Sequence, residues 1–155
     1  MPDFLTMDDF DFKNKTVLLR VDFNSPLDSA RRITDDTRIR MHAPTVKELM
    51  DKGARLVIMA HQGRPGDLDF STMQQHAERL SKILGRPIGY VDDVYGEKAQ
   101  NAIKRLKPGQ ALVLENVRTI PDETAKKTAD EFAKGDFIRT LASLADVYLF
   151  LRLQC

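Results

Sequence analysis

The chain is poor in cysteine. It has one, Cys155, at the last of 155 positions. An intrachain disulfide is excluded, and a reduced, cytoplasmic setting is the expectation. It also has little net charge: 24 lysines and arginines stand against 23 acids, a formal balance of +1. A general nucleic-acid binder needs a strong basic excess, and no basic run with interleaved aromatics is present. No apolar run approaches the length of a membrane span. The first eleven residues carry aspartates but no lysine or arginine, unlike a secretory signal or transit peptide. No His, Cys or Asp cluster has metal-ligand spacing, so no protein-held metal is expected. No Walker-type or dinucleotide-type glycine loop follows any apolar run. Internal repeats and low-complexity segments are absent.

What is present is an ordinary globular composition, 42% hydrophobic and 30% charged, long enough to bury one core. Thr16 to Phe23, Arg55 to Ala60, Ile88 to Val91, Ala111 to Leu114 and Val147 to Leu151 are short apolar runs that predict strands. Between them lie helical patterns. Ile39 to Asp51 has Pro44 suited to a first turn and Gly53 as a stop. A second helix is capped by Ser71, with Gln74 placed for a capping box; its stripe is Ala77, Leu80 and Leu84, and Gly85 ends it. Gly96 to Leu106 uses Ala99, Ile103 and Leu106. Thr128 to Leu144 is weakened by Gly135. Asp28 to Asp36 and Thr119 to Lys127 are polar and predict loops. Strand and helix alternate throughout. That order predicts an α/β, three-layer, Rossmann-like open parallel sheet with helices on both faces.

Three of the strands run out into polar loops: Val21-Asp22-Phe23-Asn24, His61-Gln62-Gly63-Arg64-Pro65 and Leu114-Glu115-Asn116-Val117-Arg118. Open parallel sheets bind ligands outside the carboxyl ends of their strands. An isolated loop arginine is most often a solvated surface charge. Gly63 and Pro65 beside Arg64 shift that balance, because glycine admits close backbone approach and proline stiffens the loop. His61 opens the same loop. His42 and His76 lie within helical segments and are read as structural. Arg118 has the bland alternative of an ion pair with a local carboxylate. Asp22 has that of an internal counter-ion, beside the functional one of accepting a substrate hydroxyl; the Asn24 amide serves either polarity. Of Arg38 and Arg40, Arg40 is read as the surface residue. Guanidinium groups bind phosphate and carboxylate bidentately. The whole suggests a pocket for a small multivalent anion, without a nucleotide site of its own.

At these residues the chain resembles the N-terminal domain of phosphoglycerate kinase, most like the archaeal enzymes. The matching stretches are Leu18 to Asn24, Asp35 to Arg40 followed by Pro44-Thr45, His61 to Pro65 and Leu114 to Arg118, in register from about Phe10 to Tyr148. The family transfers a phosphoryl group reversibly between 1,3-bisphosphoglycerate and ADP, giving 3-phosphoglycerate and ATP. Its N-terminal domain holds the phosphoglycerate, and a C-terminal domain holds the magnesium nucleotide. The resemblance implies that Asp22 and Asn24 contact the glycerate end. His61, Arg64 and Arg118 would bind the phosphate, and Arg38 would be the catalytic group stabilising the transferring phosphoryl.

Two departures set further expectations. After Tyr148 the family continues with an Asn-Asp-Ala-Phe type of motif and a His-Arg pair; here the chain reads Leu149-Phe150-Leu151-Arg152-Leu153-Gln154-Cys155. No role passes to Arg152. The expectation is a single phosphoglycerate-binding domain over residues 1–155, departing from the family near residue 148 as a truncation or frame-shifted tail, without the nucleotide domain. Mg-ATP or Mg-ADP would then be bound by the family's other half. The partners expected are 3-phosphoglycerate or 1,3-bisphosphoglycerate, with no nucleic acid and no membrane; oligomeric state is left open. This polypeptide alone should bind phosphoglycerate weakly, without turnover. The alternative is a stand-alone, non-catalytic anion-binding or regulatory module.

Overall fold

Five parallel strands form one sheet in the computed structural model, which describes residues 11–63, 66, 68, 70–119 and 136–150. The strands are β1 (Thr16–Arg20), β2 (Arg55–Met59), β3 (Gly89–Val91), β4 (Ala111–Leu114) and β5 (Val147–Phe150). Their order across the sheet is β3-β4-β2-β1-β5, and every pairing is parallel. Four helices are described: α1 (Thr37–Asp51), α2 (Gln74–Leu84), α3 (Glu97–Arg105) and α4 (Asp136–Leu144). The expected α/β architecture, with helices on both faces, is what is found. Residues 128–135 of the last predicted helix lie outside the described residues.

The strands read as continuous apolar runs because both faces are covered. Alternate residues go to opposite sides. Val17 and Leu19 of β1, with Leu56 and Ile58 of β2, meet Ile39, Val46 and Leu49 of α1 and Ala77 and Leu80 of α2. Leu18, Val57, Met59, Leu112 and Leu114 meet Ala99 and Ile103 of α3 and Leu141 of α4. A fully buried Leu or Ile in such a layer contributes about 1.5–3 kcal/mol. The register of β5 is pinned at its start. Asp146 donates its N–H to the Thr16 carbonyl at 2.8 Å, and its Oδ2 accepts the Thr16 N–H at 2.8 Å.

Three local expectations are corrected. The first strand leaves the ladder at Arg20, not Phe23. Val21 and Phe23 are still buried, and the Val21 N–H still reaches the Met59 carbonyl, so hydrophobicity outlasts the strand. Pro44 is not in a first turn, because α1 begins at Thr37 and Pro44 lies inside it. The helix starts early because Asp35 Oδ1 accepts the Thr37 N–H at 2.9 Å, a local bond that apolar periodicity does not report. The capping box at Ser71 does not form. The Ser71 hydroxyl donates to the Thr72 carbonyl, and α2 starts at Gln74. Its N-cap residue Met73 instead gives its N–H to Glu115 Oε1 at 3.0 Å, so the α2 terminus is satisfied from β4's loop. Gly85 closes α2 in the left-handed conformation (φ 67°), as expected.

The polar excursion after β1 folds back on itself. Leu27 and Ile33 bridge, and Asp28 Oδ1 takes the Ala30 and Arg32 N–H groups, which lets Arg31 adopt φ 64°. No helix among the described residues is long and apolar enough to cross a membrane.

Candidate functional site

The three polar loops leave the carboxyl ends of β1, β2 and β4, which are neighbours in the sheet. Parallel pairing therefore sets Asp22 to Ser25, His61 to Gly63 and Glu115 to Arg118 along one edge. That edge is the carboxyl end of the sheet, the end at which open parallel sheets bind ligands.

Asp22 and Arg38 meet. Arg38 Nη1 donates to Asp22 Oδ1 at 3.0 Å and to Oδ2 at 3.1 Å. Both bonds use one nitrogen, so among the described residues Nε and Nη2 of Arg38 keep their donors for another acceptor. The counter-ion reading of Asp22 is thus part of the geometry. The pair is half exposed, and such pairs contribute about 0–1 kcal/mol. The Asp22 backbone is held from behind: its N–H donates to His42 Nε2 at 3.2 Å. His42 is buried in α1, and burial lowers its pKa against the opposing pull of Asp22, so it serves as a neutral acceptor. Arg40 pairs with Asp36 at 2.9 Å on the helix surface.

Asn24 Oδ1 accepts the Gly63 N–H at 2.7 Å. Gly63 has φ 65°, a conformation that glycine adopts without a Cβ penalty. Among the described residues the Asn24 Nδ2 is unpaired, a donor for a carboxylate or hydroxyl. His61 is half-buried at the start of the same loop. Arg64 lies outside the described residues.

The feared local ion pair of Arg118 is not made among the described residues, and its guanidinium has no partner there. The nearby carboxylate, Glu115, is otherwise engaged. Its Oε1 accepts the Met73 and Asn116 N–H groups, and Oε2 accepts the Tyr90 hydroxyl. Burial and that hydrogen bond push the Tyr90 phenol up. The Arg118 backbone is fixed, its N–H donating to Asn116 Oδ1 at 3.0 Å.

Sequence reasoning read His76 as structural but gave no role to Ser25, Gln62 or Asn116, which lie underneath with it. Ser25, Gln62, His76 and Asn116 are all 0–1% exposed. Asn116 Nδ2 donates to the Gln62 carbonyl at 2.8 Å and to the Ser71 carbonyl at 2.9 Å. The Gln62 side chain bonds Ser25 and His76. The available signal was weak: uncharged amides directly after His61 and two residues before Arg118, where solvated loops would carry charge. Among the described residues no group of three or more His, Cys, Asp or Glu side chains is placed to hold a metal ion. A cavity of about 560 Å³ opens beside β3, lined by Arg86, Tyr90, Arg105 and Gln110 among others, and includes none of the expected site residues.

Residues 7–150 match the model of the family described as phosphoglycerate kinase. The chain is 50% identical over 147 residues to phosphoglycerate kinase of Methanobacterium bryantii, covering 94% of this chain and 36% of that protein. It is 44% identical over 144 residues to that of Saccharolobus solfataricus, covering 93% and 35%. The crystal structure of phosphoglycerate kinase from Pyrococcus horikoshii superposes with a TM-score of 0.92 at 37% identity, over 95% of this chain and 36% of that one. The chain therefore spans about a third of the length of these relatives. On its fold and on these matches, it belongs to the phosphoglycerate kinase family.

Proposed function

We propose that the three loops form the phosphoglycerate-holding half of a phosphoglycerate kinase site, within a domain that occupies the whole of residues 1–155. Asp22 and Asn24 take the glycerate end of 3-phosphoglycerate. His61, Arg64 and Arg118 take its phosphate. Arg38 supports the phosphoryl group in transit between ATP and the substrate carboxylate. The observation that carries this reading is the guanidinium of Arg118, which has no partner among the described residues and lies on the strand edge it shares with the Asp22–Arg38 pair and the Asn24 amide. Phosphoryl transfer asks a protein chiefly for positioning and positive charge, and these loops supply both without a general base.

The magnesium nucleotide belongs, in this reading, to a second domain of the kind found in the family. The 155-residue polypeptide assayed by itself then binds 3-phosphoglycerate weakly and does not turn over. A coupled assay of the pure chain checks this. ATP-dependent phosphorylation of 3-phosphoglycerate by it would refute the proposal. The physiological setting is cytoplasmic glycolysis or gluconeogenesis. Titration with 3-phosphoglycerate against inorganic phosphate tests the glycerate contacts, and the expected result is clearly tighter binding of 3-phosphoglycerate. Equal affinities would reduce the site to a plain anion pocket, the stand-alone module.

A further inference from the structure

We propose that Gln62 is the positioning residue that couples the glycerate side of this site to its phosphate side. The inference rests on the functional reading above and adds a residue to it.

The Gln62 carboxamide is fully buried and forms a reciprocal clamp on one residue of the neighbouring loop. The Ser25 N–H donates to Gln62 Oε1 at 2.8 Å, and Gln62 Nε2 donates to the Ser25 carbonyl at 2.8 Å. A side chain here does what a strand would do, bridging β1's loop to β2's loop where the ladder has ended. The two bonds fix which end of the amide is oxygen. That in turn fixes His76, whose Nε2 lies 2.9 Å from the same Oε1 and must carry the hydrogen. The ring's Nδ1 is left buried without a hydrogen-bond partner among the described residues. A proton there would have no acceptor, and burial together with His61 holds the His76 pKa down to about 4. The brace is therefore locked in one protonation pattern at neutral pH.

The consequences reach both ends of the substrate. On one side, Ser25 follows Asn24 directly. On the other, Gln62 lies between His61 and Gly63, and its own carbonyl is held by Asn116, which also holds the Arg118 N–H. Gly63 returns a bond to Asn24 Oδ1. The separation between the glycerate contacts and the phosphate contacts is thus set through Gln62. A ligand that spans both ends depends on that separation, and inorganic phosphate does not.

The test replaces the clamp and reads selectivity. For the full 155-residue chain with Gln62→Leu, affinity for 3-phosphoglycerate should fall about tenfold, the scale of one or two lost hydrogen bonds. Affinity for inorganic phosphate should stay within about twofold. His76→Phe keeps the Gln62–Ser25 bonds and should keep the selectivity ratio. An unchanged ratio in Q62L, or equal loss of both ligands, overturns the proposal. If Q62L does not fold, hydrogen exchange in the wild type decides. The Ser25 and Gly63 amides should slow together on adding 3-phosphoglycerate, and a response at only one of them overturns the coupling. Failure of the wild type to bind 3-phosphoglycerate at all would sink the functional reading instead. The clamp would still be judged by Ser25 exchange, which should be faster in Q62L than in the wild type; equal rates would count against it.

Discussion

At the scale of single residues, the side chains at the sheet edge divide into those that hold and those that offer. Arg118 offers, since its backbone is bound to Asn116 while its guanidinium has no partner among the described residues. Arg118→Ala should therefore weaken 3-phosphoglycerate and inorganic phosphate alike, by about tenfold or more, because charge-assisted bonds are the strong ones. Its stability, read from a urea melt, should stay within about 0.5 kcal/mol of wild type, as for surface changes generally. Stability loss without affinity loss would contradict this division. His76 holds. Unfolded, its imidazole titrates near 6.5; folded, near 4. Above 6.5 neither state is protonated and His76 adds no pH dependence. Below 6.5 the unfolded chain takes up a proton that the folded chain refuses, so stability falls toward pH 4, by about 1.4 kcal/mol per unit from this group. Melts from pH 7 to 4 should show a shallower acid slope for His76→Asn than for wild type. Equal slopes would remove His76 from the account.

At the scale of elements, the chain chooses its helix ends by tertiary bonds as much as by local ones. The N-terminus of α2 is satisfied by Glu115, some forty residues on and on another element. No capping rule applied to Ser71 and Gln74 finds that partner. Gly85, by contrast, is a local stop. It sits at φ 67° with nothing within 4 Å of the place a Cβ would take, so Gly85→Ala meets backbone strain but no clash. It should cost about 1 kcal/mol. Pro44 interrupts α1 seven residues after its start, where it withholds a helical N–H. Pro44→Ala restores that donor and should raise stability by about 1 kcal/mol in a thermal melt. A loss would mean that α1 is built around the proline ring.

At the scale of the whole molecule, strand order does the assembling. β1, β2 and β4 are scattered along the sequence, yet they lie side by side, and the three loops that follow them share one edge. The same order puts β5 beside β1, paired on one side only among the described residues, with Tyr148 44% exposed. An apolar, half-paired strand is an aggregation hazard. The 155-residue chain should self-associate with concentration in sedimentation, and Tyr148→Lys should reduce it. A monomer at all concentrations would contradict that.

Much of this was legible from residues alone. Apolar runs bounded by Gly, Pro and Asn marked the strands, because strands buried on both faces cannot be anything but apolar. The same runs overshot the strand at Val21 and Phe23, which are buried beyond the end of β1. Asp22, Asn24, His61 and Arg118 stood out because they follow such runs closely, at the carboxyl ends of strands, and Arg38 stood out at the start of the helix downstream of the first run. Arg64 did too, though it lies outside the described residues. Sequence by itself thus determined the class of fold and singled out the candidates for the site. Only the tertiary structure decided who partners whom. Asp22 goes to Arg38, Glu115 to the start of α2 and to Tyr90, and the Gln62 amide to Ser25 and His76. The physical reason is that a buried polar group must find a partner wherever the packed core brings one within about 3 Å. That distance is a property of strand order and register, which no single stretch of chain contains.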